Sequence, residues 1–410
     1  MKKKLAVLLV FLLATTVYFV FYHKDKTLKY IPENADVIVL ADVKNLTRQY
    51  ISNLAMHPDQ WFNGKSNGKN TISIQESGVK IPDFFQVFHI KNTSFSQWYS
   101  VLELKDKQQF LKYLQQQKFI RTGKEVFQKE QIFIKIDGKR CIIGTSDLNS
   151  VTFYKLFFQN LGKVSYNADS FIDAGIGSIS FKGPQIKNFS IDLFSDEIII
   201  KNNSDSYDPA PVISTLQQTK AFLETELDQE NIRTFASFFN KSLSDSSHVT
   251  HIKAAATLEK VNDTIITYGY DDNFNEIEKK TVQKIIQPDY VIALQSSAVE
   301  KTQQYFQHKK WMNARNQFTA IPFQPNIITR TGVGFEIKST RKPVPSSPLL
   351  KENFIFIRNS ALLSSSFKSL TAAEKKIISG VDYIFYGNRN EDYYLSLKFK
   401  KEELPLILRW

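Results

Sequence analysis

Hydrophobic positions in this chain fall into three patterns: one long uninterrupted run at the start, short alternating or β-branched runs, and a few stretches at helical spacing. The uninterrupted run, Leu5 to Tyr22 (LAVLLVFLLATTVYFVFY), has no charged residue and only two threonines as clearly polar side chains. At about 1.5 Å per residue it reaches roughly 27 Å as a helix, enough to cross a hydrocarbon core. No small-residue cleavage pattern follows it, and no cysteine stands just beyond it to accept a lipid. With Lys2, Lys3 and Lys4 ahead of it, the pattern predicts an uncleaved signal anchor over residues 1–24, its N-terminus cytoplasmic. A signal peptide cut at an unusual place is the alternative, and either reading exports the rest. Lys24, Lys26 and Lys29 are expected to lie near the membrane face.

Past this run the periodicity alternates between strand and helix. Val37-Ile38-Val39-Leu40 reads as a buried strand, followed by a helix bearing Leu46, Tyr50, Ile51 and Leu54, capped at Asn45 or Thr47 and ending before His57-Pro58. Trp98 to Leu104 alternates, and Asp106 with Gln109 opens a helix carrying Phe110, Leu111 and Leu114. Gln131 to Gly144 reads as a hairpin around Asp137-Gly138, followed by a helix, VTFYKLFFQ, starting at Val151. Ser178–Phe181 and Phe189–Lys201 are further strands. Val212 to Leu243 is the best long helical segment, read as one helix or two, with Phe235, Phe238, Phe239 and Leu243 on one stripe. A third hairpin, His251–Leu258 with Ile265–Tyr270, is expected to turn at Asn262-Asp263. Lys338 to Pro348, with three prolines, reads as an extended loop.

The elements predict an α+β fold, a single N-terminal transmembrane helix followed by an exported region of antiparallel sheets with packed helices. Residues 25–410 exceed what one compact core usually serves, and Asn202 to Pro211 is rich in turn formers, so two exported α+β domains are placed at 25–202 and 203–410. The second reads as a divergent repeat of the first. Pro288 to Leu294 is similar to the Pro32–Leu40 opening, and Tyr393–Lys400 to Trp98–Lys105, in the same order.

The anchor, the I-P-x-x-A-D-V-I-V-L opening at Ile31, the L-T-R-Q-Y helix at Leu46 and the W-Y-x-x-L-x-L-K-D junction at Trp98 together resemble a group of uncharacterised bacterial envelope proteins of the domain-of-unknown-function type. The resemblance covers the first 150 residues best. It implies location and architecture, and carries no catalytic residues over.

Composition changes this picture little. Hydrophobic residues make up 42%, ample for burial, and the net charge is +12. The lysines are scattered, so a solvated surface or attraction to an anionic envelope polymer is expected, with no nucleic acid as partner. The single Cys141, in CIIG, cannot form an internal disulfide and reads as a buried strand residue.

No motif supplies a catalytic, cofactor-binding or metal-binding residue, and no cofactor is expected. Of His23, His57, His89, His248, His251 and His308 only the HVTH pair is close, and on a strand its odd spacing sends the rings to opposite faces. Asp271 to Glu276 starts like a calcium loop, but Glu276 stands where glycine is needed and Val282 where a bidentate Glu is needed. Gly175-Ile176-Gly177-Ser178 and Gly332-Val333-Gly334 match no nucleophile elbow or phosphate cradle. Trp98-Tyr99 and Tyr393-Tyr394 read as strand pairs, core on one side and surface on the other. The function predicted is a membrane-tethered, periplasmic, non-enzymatic binding or scaffold protein in the bacterial cytoplasmic membrane, with that membrane and another envelope protein as partners. The rivals are a cell-wall or polysaccharide hydrolase whose carboxylates only the fold assembles, and a carrier of an apolar ligand.

Overall fold

In the computed structural model the described residues are 15–16, 18–61, 72–147, 165–172, 175–202, 207–238, 247–272, 274–321, 326–366 and 370–409. They form two compact units, Met1–Asn203 with Glu402–Trp410, and Ser204–Lys401.

The first unit is organised on β2 (Ala35–Asp42), whose residues are mostly buried; the two-residue β1 (Thr27–Leu28) precedes it. Asp42 closes this strand and caps α1 (Val43–Met56), its carboxylate accepting the Asn45 N–H at 2.8 Å; the sequence placed that cap a turn too late. The helix ends at His57 because Pro58 disfavours α geometry in the residue before it. Then come β3 (Val79–Lys80), β4 (Phe84–Ile90) and β5 (Trp98–Leu104). Asp106 accepts from the N–H groups of Gln108 and Gln109 to open α2 (Lys107–Gln116), which buries Phe110 and Leu114. β6 (Ile120–Gly123), β7 (Val126–Lys129), β8 (Ile132–Asp137) and β9 (Arg140–Gly144) form a meander. The β8–β9 loop is one residue later than Asp-Gly composition implies: Asp137 pairs with Arg140, and Gly138, at φ +58°, takes the first loop position. β10 (Tyr166–Asn167) pairs with β1, and β11 (Gly177–Lys182), β12 (Ile186–Leu193) and β13 (Glu197–Lys201) complete the unit. The antiparallel order is β13-β12-β11-β2-β4-β5-β9-β8-β7-β6. Ile38, Leu40, Phe88, Tyr99, Ile142 and Phe171 make one core, and Leu104, Phe110, Leu114, Ile136 and Cys141 a second that includes α2.

The second unit opens with α3 (Ala210–Gln217), then β14 (Leu223–Asp228), α4 (Gln229–Phe238), β15 (Val249–Tyr270), β16 (Glu276–Ser296) and α5 (Val299–His308). β17 (Asn326–Thr331), β18 (Gly334–Ser339) and β19 (Asn353–Arg358) follow, then α6 (Ala361–Ser366), α7 (Ala372–Gly380), β20 (Val381–Arg389) and β21 (Asp392–Phe399). The order is β21-β20-β19-β14-β15-β16-β18-β17, again antiparallel. Phe306 on α5 meets Phe318 and Phe335 edge-on or tilted in one core; Leu216, Phe354, Phe356 and Phe385 form another with α3.

The eight-strand order of the second unit repeats that of the first, in which β7 and β6 are additional. β2 corresponds to β14, each followed by a helix; β4 and β5 correspond to β15 and β16, followed by α2 and α5; β9-β8 corresponds to β18-β17; and β11, β12, β13 correspond to β19, β20, β21. The similar sequence stretches do not follow this correspondence. Pro288–Leu294 lies on β16, the counterpart of β5 rather than β2, and Tyr393–Lys400 lies, all but its last residue, on β21, the counterpart of β13.

Several expectations are corrected. Antiparallel sheet dominates, and the helices are short additions to it rather than a packed layer, so the α+β expectation does not hold as stated. Val212–Leu243 holds parts of two helices, α3 and α4, but is not helical between them: Leu223, Thr225 and Leu227 alternate with Glu224 and Glu226, and that period of two makes β14. Phe189–Lys201 is two strands. The helix expected from Val151 lies outside the described residues, as do Phe239 and Leu243.

The membrane anchor is also corrected. Among the described residues no helix is long and apolar enough to cross a membrane, which does not support a signal anchor, a single transmembrane pass or a cytoplasmic-membrane location with a periplasmic bulk. Residues 1–14 and 17 lie outside the described set. The described end of the apolar run is helical at 18–21, and its last carbonyls meet cations of α1. Arg48 Nη1 donates to Phe21 O at 2.8 Å, Lys44 Nζ to Phe19 O at 3.2 Å and to His23 O, and the Arg48 guanidinium lies 4.7 Å from the Tyr22 ring centroid. Basic side chains offset the partial negative charge of a helix C-terminus, so this end docks on the sheet unit. Lys24, expected at a lipid face, pairs with the buried Asp42, and Lys26 with Asp169.

Candidate functional site

Three places gather polar chemistry. In the first unit, Asp25, Tyr30, Lys80, Asp83, Gln86 and Glu103 line a cleft of about 140 Å³ floored by Phe84 and Val101. Tyr30 Oη donates to Glu103 Oε1 at 2.5 Å and Lys80 Nζ to Glu103 Oε2 at 2.8 Å. The Lys80 hydrogen bond, then that of Tyr30, holds the Glu103 carboxyl below its usual range. Burial, then the Glu103 hydrogen bond, pushes the Tyr30 phenol up to about 12. Glu103 likewise raises Lys80, and hydrogen bonds from Thr27 lower Asp25. All four shifts move away from neutral pH, the reverse of what proton transfer requires.

In the second unit a row of carboxylates, Glu224, Glu226 and Asp228, stands on one face of β14, spaced by two. Glu224 and Glu226 are 1% and 2% exposed. A buried carboxylate must be matched by donors, and here they come from the proline-rich segment between β18 and β19. Ser347 N donates to Glu224 Oε2 at 3.0 Å, Leu350 N to Glu226 Oε2 at 3.2 Å and Lys351 N to Glu226 Oε1 at 3.1 Å. The buried Asp289 of β16 accepts from Ser339 Oγ and Arg341 Nε, both at 3.1 Å, and Lys253 Nζ donates to Ser347 O at 2.6 Å. The segment is thus a strap laid over β16, β15 and β14, and the carboxylates are its clamps. Its prolines suit that role, since a residue without N–H leaves no donor to satisfy.

Beside the strap a cleft of about 280 Å³ is lined by Glu226, Asp228, His251, Gln295, Lys351 and Glu352. His251 Nε2 is 3.5 Å from Glu226 Oε1. Each carboxylate here already has a task. Glu226 holds the strap, Glu352 pairs with Arg389, and Asp228 accepts from Asn231 N at 2.9 Å, capping α4. Burial alone would raise the Asp228 carboxyl, but hydrogen bonds from Asn231 and Asn353 outweigh it and lower it.

The third place is the β15–β16 hairpin. β15 pairs with β14 only as far as Ala256, and β16 pairs with β18 only from Val291. Beyond those points the two strands have, among the described residues, only each other as strand partners, Thr257↔Asp289 to Tyr270↔Glu276. At ~3.3 Å per residue the ribbon runs on for about 40 Å. The turn expected at Asn262-Asp263 is therefore not there; those residues pair with Lys284 and Gln283. It falls at Asp271–Asn275, the calcium-like stretch, where Asp271 Oδ1 accepts the Asn275 N–H at 2.8 Å and Phe274 takes φ +62°. Large apolar side chains near the tip are open to solvent: Phe274 at 87%, Tyr270 at 69%, Tyr268 at 68% and Val282 at 65%.

The histidines are not brought together. His89 is buried, with Nδ1 2.6 Å from Asp36 Oδ1 and Nε2 3.1 Å from Ser94 O, beside Phe95 and Trp98. His57 closes α1 and His308 closes α5. His248 precedes β15 at φ +55°, so the HVTH pair does not share a strand. Cys141 is fully buried, its thiol pushed up to about 12 by desolvation, which makes it inert. Among the described residues no group of three His, Cys, Asp or Glu could hold a metal ion. Sequence reasoning missed the strap clamps and the ribbon's true length. The ribbon was foreshadowed by strand-like residues on both sides of Asp271–Asn275; the clamps were not, because their partners lie more than a hundred positions away. No family model, curated protein or solved structure matches the chain.

Proposed function

We propose that this chain is a non-enzymatic binding or scaffold protein that engages another polypeptide through the β15–β16 ribbon. The observation carrying this reading is the ribbon, two strands whose outer edges have no strand partner among the described residues beyond Ala256 and before Val291, tipped with exposed aromatics. A two-stranded ribbon is marginal by itself in water, and open edges with apolar side chains are what a partner strand covers.

The hydrolase rival would use Glu226, Asp228 and His251, which share a cleft. It is disfavoured because both Glu226 oxygens accept strap N–H groups and Asp228 caps a helix. A photocrosslinking residue at Tyr268 or Phe274 of the full chain tests the proposal. Crosslinks to one defined polypeptide, another protein or a second copy, support it. A ribbon that crosslinks to nothing overturns it, and polysaccharide turnover abolished by Glu226→Gln would establish the hydrolase instead.

A further inference from the structure

The free edge of β16 is complementary to itself. Which residues present their N–H and C=O outward follows from the neighbours: Phe222 N donates to Ala256 O on the outer side of β15, and Tyr290 N, opposite Ala256, turns away from β15 toward Ser339 Oγ. Pairs along the ladder alternate, and the only register shift lies between Val249 and His251. The even-numbered residues of β16 from Glu276 therefore face outward, and Pro288, with no N–H, ends the row of donors.

An antiparallel match of this edge to an identical edge must pair even with even residues, which leaves few registers. Centred on Lys279 or Lys280 it sets that lysine against itself, and centred on Val282 it sets Lys280 against Lys284. Centred on Thr281 it sets Glu278 against Lys284 of the second copy and Ile277 against Ile285 of the second copy, each twice by symmetry, with no like charges opposed. On the Ile277 face, the adjacent β15 positions are Val261, opposite Ile285, and Ile265, opposite Thr281, so an apolar patch would cross all four strands.

We propose that β16 of this chain pairs with β16 of a second copy, antiparallel about Thr281, to form a four-stranded sheet from two ribbons. This rests on the reading of the ribbon as a docking element and names its occupant. Edge lysines normally discourage strand addition; here each Lys284 meets a glutamate.

Sedimentation equilibrium of the full-length protein at moderate salt, with circular dichroism to check folding, tests this. The wild type should be dimeric. Glu278→Lys and Lys284→Glu should each weaken the dimer about tenfold, and the double variant should restore it. Val282→Pro, which removes an outward donor but none of the β15 ladder, should be monomeric with an unchanged circular dichroism spectrum. A wild type that stays monomeric, or a double variant no stronger than the singles, overturns the pairing. If such a monomer still crosslinks through the ribbon to a different protein, the pairing fails while the binding reading stands; if it crosslinks to nothing, both fail.

Discussion

Single residues in this protein are legible where their partners are close in sequence. Asp106 declares itself as a cap because it stands two and three positions before the N–H groups it accepts. Glu224 and Glu226 do not, because two acidic residues in an otherwise helical-looking stretch give no hint that Ser347, Leu350 and Lys351 will supply the donors. Glu226→Ala should cost about 2 kcal/mol, since two part-buried strap N–H groups lose a charged acceptor; urea unfolding measures the loss, and hydrogen exchange at Leu350 and Lys351 should rise. Acidity offers a second check. Glu103 is held below its ordinary value of 4.5, so it binds protons less readily folded than unfolded. Its contribution to stability is full above that value and is lost as pH falls through the depressed one. The melting temperature should therefore fall as pH drops below about 4.5, and Glu103→Gln should flatten that dependence.

Elements are legible by their period and obscured by what they touch. β2, β5, β11 and the β8–β9 hairpin follow from alternation and turn chemistry. β14 was hidden because its buried face is acidic, so hydrophobicity marks only its other face. β15 and β16 were cut short because Asn262-Asp263 looks like a turn, yet in a ribbon exposed on both sides polar residues cost the ladder nothing. Strand spacing in the second unit also depends on glycine. A Cβ on Gly334 would come within 1.9 Å of the Leu294 carbonyl oxygen, a backbone atom that cannot give way. Gly334→Ala should thus destabilise the β16–β18 pairing by about 2–3 kcal/mol, seen as a lowered melting temperature and faster exchange at β17 and β18.

For the whole molecule, the informative fact is that one strand order occurs twice, although the most similar sequence stretches occupy non-equivalent strands. Topology is held by which positions are buried, and many sequences satisfy the same burial pattern, so local likeness misleads where strand order does not. Each unit has its own cores. Residues 204–401 made alone should fold, giving a cooperative thermal transition and dispersed amide resonances; an unfolded product would show that this unit depends on the rest of the chain.

The shared order also has a consequence for how the chain is made. In each unit the first strand of the main sheet lies inside it, and one of its two neighbours is synthesised much later: Ile38 waits for Ser180, and Thr225 donates its hydroxyl to Phe354, 129 positions further on. At ~5–20 residues per second, a ribosome needs several seconds or more to deliver the missing neighbour. Throughout that interval the nascent chain carries a half-paired inner strand twice over, β2 strongly apolar and β14 with buried-face carboxylates still unmatched, so slow translation or a holding chaperone would matter to its yield.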